Sequence, residues 1–197
     1  MITIIDTGGA NLASVTNAIN RLNKQWEVTS DPEKLTKASH VILPGVGTAK
    51  KNWERVNRLE LADGIKRLSQ PVLGICVGMQ LLFEASEEGM TDCLGLIPGI
   101  VTRFPSTLNL PVPHMGWNQV FYTDQPDQPI LDHIPSGSYF YFVHSFRGPT
   151  GDHTIAYSSY GKSFPAIVNV RNFYGTQFHP EKSSRLGSKL LENFCNL

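Results

Sequence analysis

The chain has 197 residues, 41% of them hydrophobic, which is enough to bury a sizeable core and predicts a single domain over residues 1–197. Its 17 basic and 17 acidic residues cancel, so the composition argues against nucleic acid or an acidic membrane surface as a partner. No apolar stretch approaches the roughly 20 residues that span a bilayer.

Two further features of the sequence concern the compartment. Residues 1–6 enter an apolar run without a basic leader or a small-residue cleavage site, which predicts a first strand and not a signal peptide. The cysteines, Cys76, Cys93 and Cys195, are an odd and low number, which fits reducing surroundings better than a disulfide framework. We therefore predict a soluble cytoplasmic protein.

The first half of the chain alternates strand-like and helix-like segments. Short apolar runs predict strands, and apolar residues at intervals of three and four predict helices. The predicted strands are residues 2–5, 26–29, 40–43 and 72–75, and the predicted helices are 11–22, one beginning at Asp31-Pro32, 49–68 with a break near Asp63-Gly64, and 79–85. Such alternation is typical of a parallel sheet covered by helices on both faces.

From Gly99 onward the pattern changes to short strand-like runs divided by turns rich in proline and glycine. The predicted strands are residues 100–104, 119–122, 139–144, 154–158, 166–170 and 174–178, followed by a helix over 185–194. These runs predict antiparallel strands that extend or flank the main sheet. The expected fold is therefore α/β, with a mostly parallel central sheet flanked by helices and added antiparallel strands.

Cys76 lies between a buried strand and a helix, with Gly74 and Gly78 removing side-chain bulk on either side. A nucleophile on such a turn projects from the carboxyl edge of the sheet, beside the backbone N–H groups of the helix start. That position also favours the reactive thiolate. Alone, however, a cysteine after an apolar strand is more often a small core residue.

His179 and Glu181 supply the two partners that a cysteine nucleophile needs. They are two residues apart in a strand-like run, so both side chains point to the same side. His179 would take the proton of Cys76 and return it to a leaving group, while Glu181 would fix the imidazole tautomer. A lone His-x-Glu is more often a surface pair, but its combination with the Cys76 turn favours a site that forms and hydrolyses a thioester.

The glycine-containing turn at residues 43–47 is the candidate source of oxyanion donors, because it follows a strand and its amides are free to face a ligand. A simple tight turn is the alternative, and a phosphate loop is disfavoured because no Gly-Lys-Ser/Thr follows. Since Val46 lies between Gly45 and Gly47, we hypothesise that its peptide can take two orientations in the isolated chain.

Residues 74–80 (Gly-Ile-Cys-Val-Gly-Met-Gln) and 178–183 (Phe-His-Pro-Glu-Lys-Ser) resemble the motifs of class I glutamine amidotransferases. Within that family the chain is most similar to the glutaminase subunits of imidazole glycerol phosphate synthase. Four more segments carry this resemblance: residues 5–12, 44–47, 113–118 and 139–145. It spans essentially the whole chain.

The resemblance implies a flavodoxin-like fold and the hydrolysis of glutamine to glutamate and ammonia, without a cofactor or metal. It further implies a heterodimer with a (β/α)8-barrel synthase, which uses the ammonia to make imidazole glycerol phosphate and aminoimidazole carboxamide ribotide in histidine biosynthesis. Cys76 would be the nucleophile, His179 the base and acid, and Glu181 the residue that orients it. The remaining pocket residues that it implies are Val46, Gly47 and Val77 for the oxyanion hole, and Gly47, Gln80, His144, Ser145 and Phe146 for glutamine.

The resemblance also implies a partner interface. It places five residues near the synthase, namely Met115, Trp117, Asn118, Tyr141 and Lys182. Without it, the three large apolar side chains among them would be assigned to the core, Lys182 to a solvated face, and His144 equally well to the core. The chain departs from the family pattern at Thr7, Ala10 and Phe146, and none of these belongs to the triad.

Three alternatives differ from this interpretation. One is a glutaminase subunit of another class I amidotransferase. A free-standing α/β cysteine hydrolase or peptidase is the second, and the Met-Gln after the turn and the His-Ser-Phe at residues 144–146 argue against it. The third is a non-catalytic binding module, which the intact Cys76, His179 and Glu181 disfavour.

Overall fold

The computed structural model describes residues 1–8, 12–124 and 128–197. The first half alternates strands and helices, as predicted. Its elements are β1 (Ile2–Ile5), α1 (Leu12–Arg21), β2 (Trp26–Thr29), α2 (Pro32–Lys37), β3 (His40–Gly45), α3 (Ala49–Arg58), α4 (Leu61–Lys66), β4 (Val72–Cys76) and α5 (Val77–Gln80). Ala10 and the predicted helix start at residue 11 lie outside the described residues.

The starts of two helices follow directly from the sequence. Asp31 caps α2, because its side chain accepts a hydrogen bond from the backbone N–H of Glu33, and Pro32 occupies the first helical position. Thr48 caps α3 in the same way, accepting from the N–H of Lys51. The helix predicted from Asp31-Pro32 is therefore confirmed.

The break predicted near Asp63-Gly64 is wrong. The chain leaves the helix at Glu60, which adopts a left-handed φ of 54°, and Gly64 lies inside α4. This turn lets α4 bury Leu61 and Ile65 completely. Burial of two aliphatic side chains outweighs the roughly 1 kcal/mol that a glycine costs inside a helix.

The second half is mainly strands. Its elements are β5 (Phe83–Ser86), β6 (Thr91–Asp92), β7 (Ile97–Arg103), β8 (His114–Tyr122), β9 (Ser138–His144), β10 (Phe146–Arg147), β11 (Thr154–Tyr160), β12 (Lys162–Val170), β13 (Phe173–Thr176) and α6 (Ser184–Phe194), with single 3-10 turns at Ser106–Leu108, Pro129–Leu131 and Pro180–Lys182.

The helix predicted over residues 79–85 is also wrong. Only α5 is helical there, and Phe83–Ser86 forms β5. This strand belongs to a second sheet in the order β10-β7-β5-β6. Its apolar run fits either a helix or a strand by periodicity, and pairing with the distant β7 decides the outcome.

In the described part of the chain the larger sheet has nine strands, in the order β2-β1-β3-β4-β13-β12-β11-β8-β9. From β2 to β13 neighbouring strands are parallel, and from β13 to β9 they are antiparallel. The predicted α/β class with added antiparallel strands is confirmed. The carboxyl ends of β3, β4 and β13 meet at one edge of this sheet, where α/β proteins commonly bind ligands.

The core lies on both faces of this sheet, and every residue of β4 is buried. Nothing among residues 1–8, 12–124 and 128–197 forms a helix that is long and apolar enough to cross a membrane.

Candidate active site

Cys76 is held on a sharp turn between β4 and α5. Its backbone angles are φ 54° and ψ −109°, an uncommon combination for a residue with a side chain. Two glycines allow the turn to pack closely. A Cβ at Gly78 would lie 1.9 Å from the carbonyl oxygen of Leu43, and one at Gly74 would lie 2.6 Å from that of Gly78. The strand-to-helix turn predicted at Cys76 is therefore present.

His179 follows β13, and Glu181 lies in the 3-10 turn Pro180–Lys182, so the extended conformation predicted for this pair is wrong although the side chains meet. Nδ1 of His179 is 2.8 Å from Oε1 of Glu181, and both side chains are 3% exposed. Among the described residues, no donor bonds the second carboxylate oxygen of Glu181, which is buried. The imidazole N–H therefore provides the hydrogen bond that this carboxylate receives.

The surroundings of His179 favour its protonated form. Burial lowers the pKa of this imidazole, but the side chains of Cys76 and Glu181 together outweigh burial and raise the pKa to about 10. At neutral pH His179 thus carries a proton between a sulfur and a carboxylate. Burial raises the pKa of Cys93 to about 12 and that of Cys195 to about 11, so neither of these thiols is ionised at neutral pH.

A cavity of about 300 Å³ opens beside Cys76 and His179. The wall includes every predicted catalytic, oxyanion and substrate residue except Glu181, which lies behind His179. It is lined by Val46, Gly47, Cys76, Val77, Gln80, Glu88, Pro113, Val143, His144, Ser145, Phe146 and His179. This volume is at the lower end of the range typical of small-molecule sites.

Glu88 is a cavity residue that the sequence analysis missed. Its Oε2 accepts a hydrogen bond of 2.6 Å from the backbone N–H of Ala49, at the start of α3. Of the described residues on the cavity wall, it is the one with a carboxylate. The sequence has three glutamates in this region, Glu84, Glu87 and Glu88. Because the helix predicted over residues 79–85 is wrong, the sequence pattern does not indicate which of them faces the pocket.

The loop after β3 is held by a second residue that the sequence analysis missed. The side-chain amide of Asn52 donates to the carbonyl oxygens of Val46 at 2.9 Å and Thr48 at 2.8 Å. Its oxygen accepts from the hydroxyl of Thr7 at 3.3 Å. Gly47 has a left-handed φ of 80°, so the loop conformation requires glycine at this position. The peptide between Val46 and Gly47 thus has one orientation in the structure, with its carbonyl directed at Asn52.

His144 is both buried in the sheet and exposed to the cavity. Its Nδ1 lies 2.8 Å from the carbonyl oxygen of Phe146, and its Nε2 lies 3.0 Å from Nδ1 of His114. Gln80 reaches the same carbonyl, donating to it at 3.0 Å. The core and the pocket assignments of His144 therefore both describe its position.

The predicted interface residues lie on β8, β9 and the turn after His179. Met115 is 63% exposed and Trp117 is 52% exposed, so the alternative that assigns them to the core is wrong. The Trp117 and Tyr141 rings make an edge contact with centroids 6.2 Å apart. Lys182 is exposed. Asn118 differs from these residues, because its amide donates to the carbonyl oxygen of Ser159 at 2.9 Å and lies 3.3 Å from Nε2 of His114.

This arrangement has the parts of a thiol-dependent acyl-transfer site. It provides a nucleophile on a strained turn, a protonated imidazole and a buried carboxylate that orients it. In the part of the chain that the structure describes, no three His, Cys, Asp or Glu side chains are grouped to hold a metal ion.

Comparison with known structures shows the fold. The crystal structure of a glutamine amidotransferase matches with a TM-score of 0.75 at 15% identity, covering 99% of this chain and 97% of that one. The structure of PurLQS from Thermotoga maritima matches with a TM-score of 0.71 at 20% identity, covering 99% and 97%.

Comparison of sequences shows the family. The model of glutamine amidotransferase class I matches residues 3–197. Imidazole glycerol phosphate synthase subunit HisH 2 of Legionella pneumophila (strain Paris) is 47% identical over 197 residues, covering 100% of this chain and 98% of its own. Subunit HisH of Haemophilus influenzae (strain ATCC 51907 / DSM 11121 / KW20 / Rd) is 49% identical over 193 residues, covering 98% and 96%. The chain therefore belongs to the class I glutamine amidotransferase family, among the members named imidazole glycerol phosphate synthase subunit HisH.

Proposed function

We propose that this chain is the glutaminase subunit of an imidazole glycerol phosphate synthase and hydrolyses glutamine to glutamate and ammonia. The observation that carries the proposal is the placement of Cys76 and His179 on one cavity, with Glu181 2.8 Å behind the imidazole. The names of the relatives support the pathway, which is histidine biosynthesis.

The first half of the reaction releases ammonia. The sulfur of Cys76 attacks the side-chain amide carbon of glutamine, forming a C–S bond and a tetrahedral oxyanion. His179 gives its proton to the amide nitrogen, the C–N bond breaks, and ammonia leaves a thioester on Cys76. Glu181 keeps the imidazole in the tautomer and orientation that this transfer requires.

The second half restores the enzyme. Neutral His179 takes a proton from a water molecule, whose oxygen attacks the thioester carbon. The C–S bond breaks, glutamate leaves, and Cys76 and His179 return to their starting forms. Every atom comes from glutamine and water, so the reaction as written needs no cofactor.

Backbone amides would stabilise the oxyanion in both halves. The candidates are the amides of Val46 and Gly47 in the loop after β3, and that of Val77 at the start of α5. Gly45 of β3 lies opposite Cys76 of β4, which brings this loop to the nucleophile. Removal of one such donor typically costs 10²- to 10³-fold in kcat, as an order of magnitude.

Glutamine would be recognised by charge at one end and by backbone groups at the other. The Glu88 carboxylate uses Oε2 for the amide of Ala49, so Oε1 is available to the α-ammonium group of the substrate. Gly47, Gln80, His144, Ser145 and Phe146 line the remainder of the wall.

The ammonia would pass to a (β/α)8-barrel synthase in a heterodimer. We propose that this partner covers the face formed by the exposed Met115, Trp117 and Lys182 and the half-buried Tyr141, with Asn118 beneath it. Large exposed aromatic side chains next to a cavity are typical of interface cores. We further propose that residues 1–197 act as one glutaminase domain in the cytoplasm.

The division of labour is tested with Cys76→Ala in the assembled complex. We expect synthesis from glutamine to be abolished and synthesis from added ammonium salt to be unchanged. Loss of both activities would sink the proposal. We further propose that residues 44–47 are not fully set for catalysis in the isolated chain and that the synthase with its nucleotide ligand favours the active form. The wild-type chain, assayed with and without the synthase and its ligand, tests this: the basal glutaminase rate should be low, and full activity of the isolated chain would count against it.

A peptide substrate distinguishes the alternative hydrolase. Turnover of peptides by the isolated chain, without turnover of glutamine in the complex, would favour a free-standing cysteine hydrolase instead.

A further inference from the structure

Behind the cavity, a chain of hydrogen bonds joins the β8 strand to the pocket wall. The amide nitrogen of Asn118 lies 3.3 Å from Nε2 of His114, and Nδ1 of His114 lies 3.0 Å from Nε2 of His144. Nδ1 of His144 lies 2.8 Å from the carbonyl oxygen of Phe146. Four residues on three strands are thereby connected.

The chemistry of these groups permits one arrangement of protons. The carbonyl of Phe146 only accepts, so His144 donates from Nδ1 and accepts at Nε2. His114 then donates from Nδ1 and accepts at Nε2 from the amide of Asn118. That amide is oriented independently, because its nitrogen donates to the carbonyl oxygen of Ser159 at 2.9 Å and its oxygen accepts from the N–H of Gln119 at 2.8 Å.

Both imidazoles are neutral in this arrangement. Burial lowers the pKa of His114 to about 4 and that of His144 to about 3. Protonation of either ring would turn an acceptor nitrogen into a donor that faces another donor. Burial and the hydrogen-bond pattern therefore both require the two imidazoles to be neutral.

Only one of the two rings borders the cavity. His144 lines its wall, whereas His114 lies behind it, directly opposite His144 in the pairing of β8 with β9. His114 is stacked on Tyr160 with centroids 4.2 Å apart and on Phe142 at 5.2 Å. These two contacts fix the plane of the His114 ring.

The Phe146 end of this series of hydrogen bonds lies close to the residues around Cys76. The Phe146 carbonyl also accepts from Nε2 of Gln80 at 3.0 Å, and the same nitrogen lies 3.0 Å from Oε1 of Gln177. Nε2 of Gln177 is 3.9 Å from the sulfur of Cys76. The Phe146 carbonyl is therefore hydrogen-bonded to two residues of the pocket wall, His144 and Gln80.

We infer that His114 is a positioning residue for the glutamine pocket, acting through His144 on the backbone at Phe146. Without a donor at His114, the buried Nε2 of His144 has no partner, and the ring no longer has a fixed orientation toward the Phe146 carbonyl. This inference rests on the proposed function.

Two substitutions separate positioning from packing. His114→Phe keeps an aromatic ring for Tyr160 and Phe142 but removes the donor. His114→Asn loses the ring but places an amide N–H close to the position of Nδ1. A role in positioning predicts that His114→Asn is the milder change for substrate binding, whereas a role in packing predicts the reverse order.

The readout is covalent labelling of Cys76 in the complex with the synthase by a diazo-ketone analogue of glutamine. We expect the half-saturating concentration to rise about tenfold in His114→Phe and less than threefold in His114→Asn, as for a buried acceptor without a donor. Iodoacetamide, which needs no glutamine pocket, should label both variants at the wild-type rate.

Equal half-saturation in His114→Phe and wild type, or a larger effect in His114→Asn, would overturn the inference. Absence of labelling in the wild-type complex would instead contradict the proposed function. Should His114→Phe not fold, nitrogen NMR of the wild-type imidazoles decides. We expect Nδ1 to carry the proton in both His114 and His144 at neutral pH, and an Nε2 proton on either ring would contradict the arrangement.

Discussion

His179 and the His114–His144 pair are buried to a similar degree but have opposite protonation states. All three side chains lie in residues that are 5% exposed or less. Burial favours the neutral ring in each case, yet the pKa is raised to about 10 at His179 and lowered to about 4 and about 3 in the pair. The nearest groups decide the difference. His179 interacts with the sulfur of Cys76 and the carboxylate of Glu181, whereas His144 contacts a carbonyl and a neutral imidazole.

The difference between the two sites suits the proposed mechanism. In that mechanism the leaving group takes a proton from His179, and a second cation on the pocket wall would lower the pKa of this donor. The proton of His179 in turn helps to lower the pKa of His144. The neutral pair thus supplies directional hydrogen bonds without competing for charge.

Glu181→Gln should have the largest effect, because it removes the carboxylate that, together with the sulfur of Cys76, distinguishes His179 from the neutral pair. The amide keeps the shape of the side chain but no longer stabilises imidazolium or fixes the tautomer. We expect kcat for glutamine hydrolysis in the complex to fall by about 10³- to 10⁴-fold. Synthesis from ammonium salt serves as the control and should be unchanged. A loss of less than tenfold would contradict the assigned role of Glu181.

Glu88→Gln tests whether charge recognition lies on the same cavity wall as the neutral His144. The carboxylate would face the α-ammonium of glutamine, and an amide would not. We expect KM for glutamine to rise by roughly 10- to 100-fold, with a much smaller change in kcat. The matched control is Glu87→Gln, since Glu87 lies outside the cavity wall and its carboxylate accepts from the N–H of Arg103. Equal effects of the two substitutions on KM would show that the Glu88 carboxylate does not bind glutamine.

The smallest expected effect is on the pH dependence of the free energy of unfolding, which should have opposite signs for His179 and for the His114–His144 pair. Because the pKa of folded His179 is above the unfolded value of 6.5, its stabilisation is complete below pH 6.5 and is lost as pH rises toward about 10. Because the pKa values of His114 and His144 are below 6.5, stability falls as pH drops from 6.5 toward 4 and 3. Each histidine contributes up to about 1.4 kcal/mol per pH unit within its window.

Urea unfolding across both windows measures these slopes. Glu181→Gln should flatten the alkaline decline, because it removes one of the two groups that raise the pKa of His179. The acidic decline should change much less, because Glu181 reaches His144 only through the charge of His179. An unchanged alkaline slope in that variant would show that Glu181 does not sustain the imidazolium.

The features that could be predicted from the sequence are those with a short-range signal. Cys76 and its glycines mark the turn. The pairing of His179 with Glu181 is confirmed, but the extended run expected to produce it is wrong, because Glu181 lies in the 3-10 turn Pro180–Lys182. The cap at Asp31 and the apolar periodicity of α1 define helices in the same local way.

The features that could not be predicted depend on distant pairing. Phe83–Ser86 is a strand because β7 lies beside it, and that pairing also brings Glu88 to the cavity. His114 and His144 meet only through the register of β8 and β9. The break at Glu60 follows from where Leu61 can be buried, and no local residue type marks it.

The hydrogen bonds of Asn52 limit the equilibrium population of any second conformation of the loop after β3. Turning the Val46 peptide would leave a buried amide of Asn52 without one of its acceptors, at a cost of about 1–3 kcal/mol. A cost of that size alone corresponds to a population of the turned form between roughly 0.6% and 16% at equilibrium. A partner that stabilised the turned form would have to supply that free energy. The strength of activation would then depend on the equilibrium population of the turned conformation and not on how fast the loop moves.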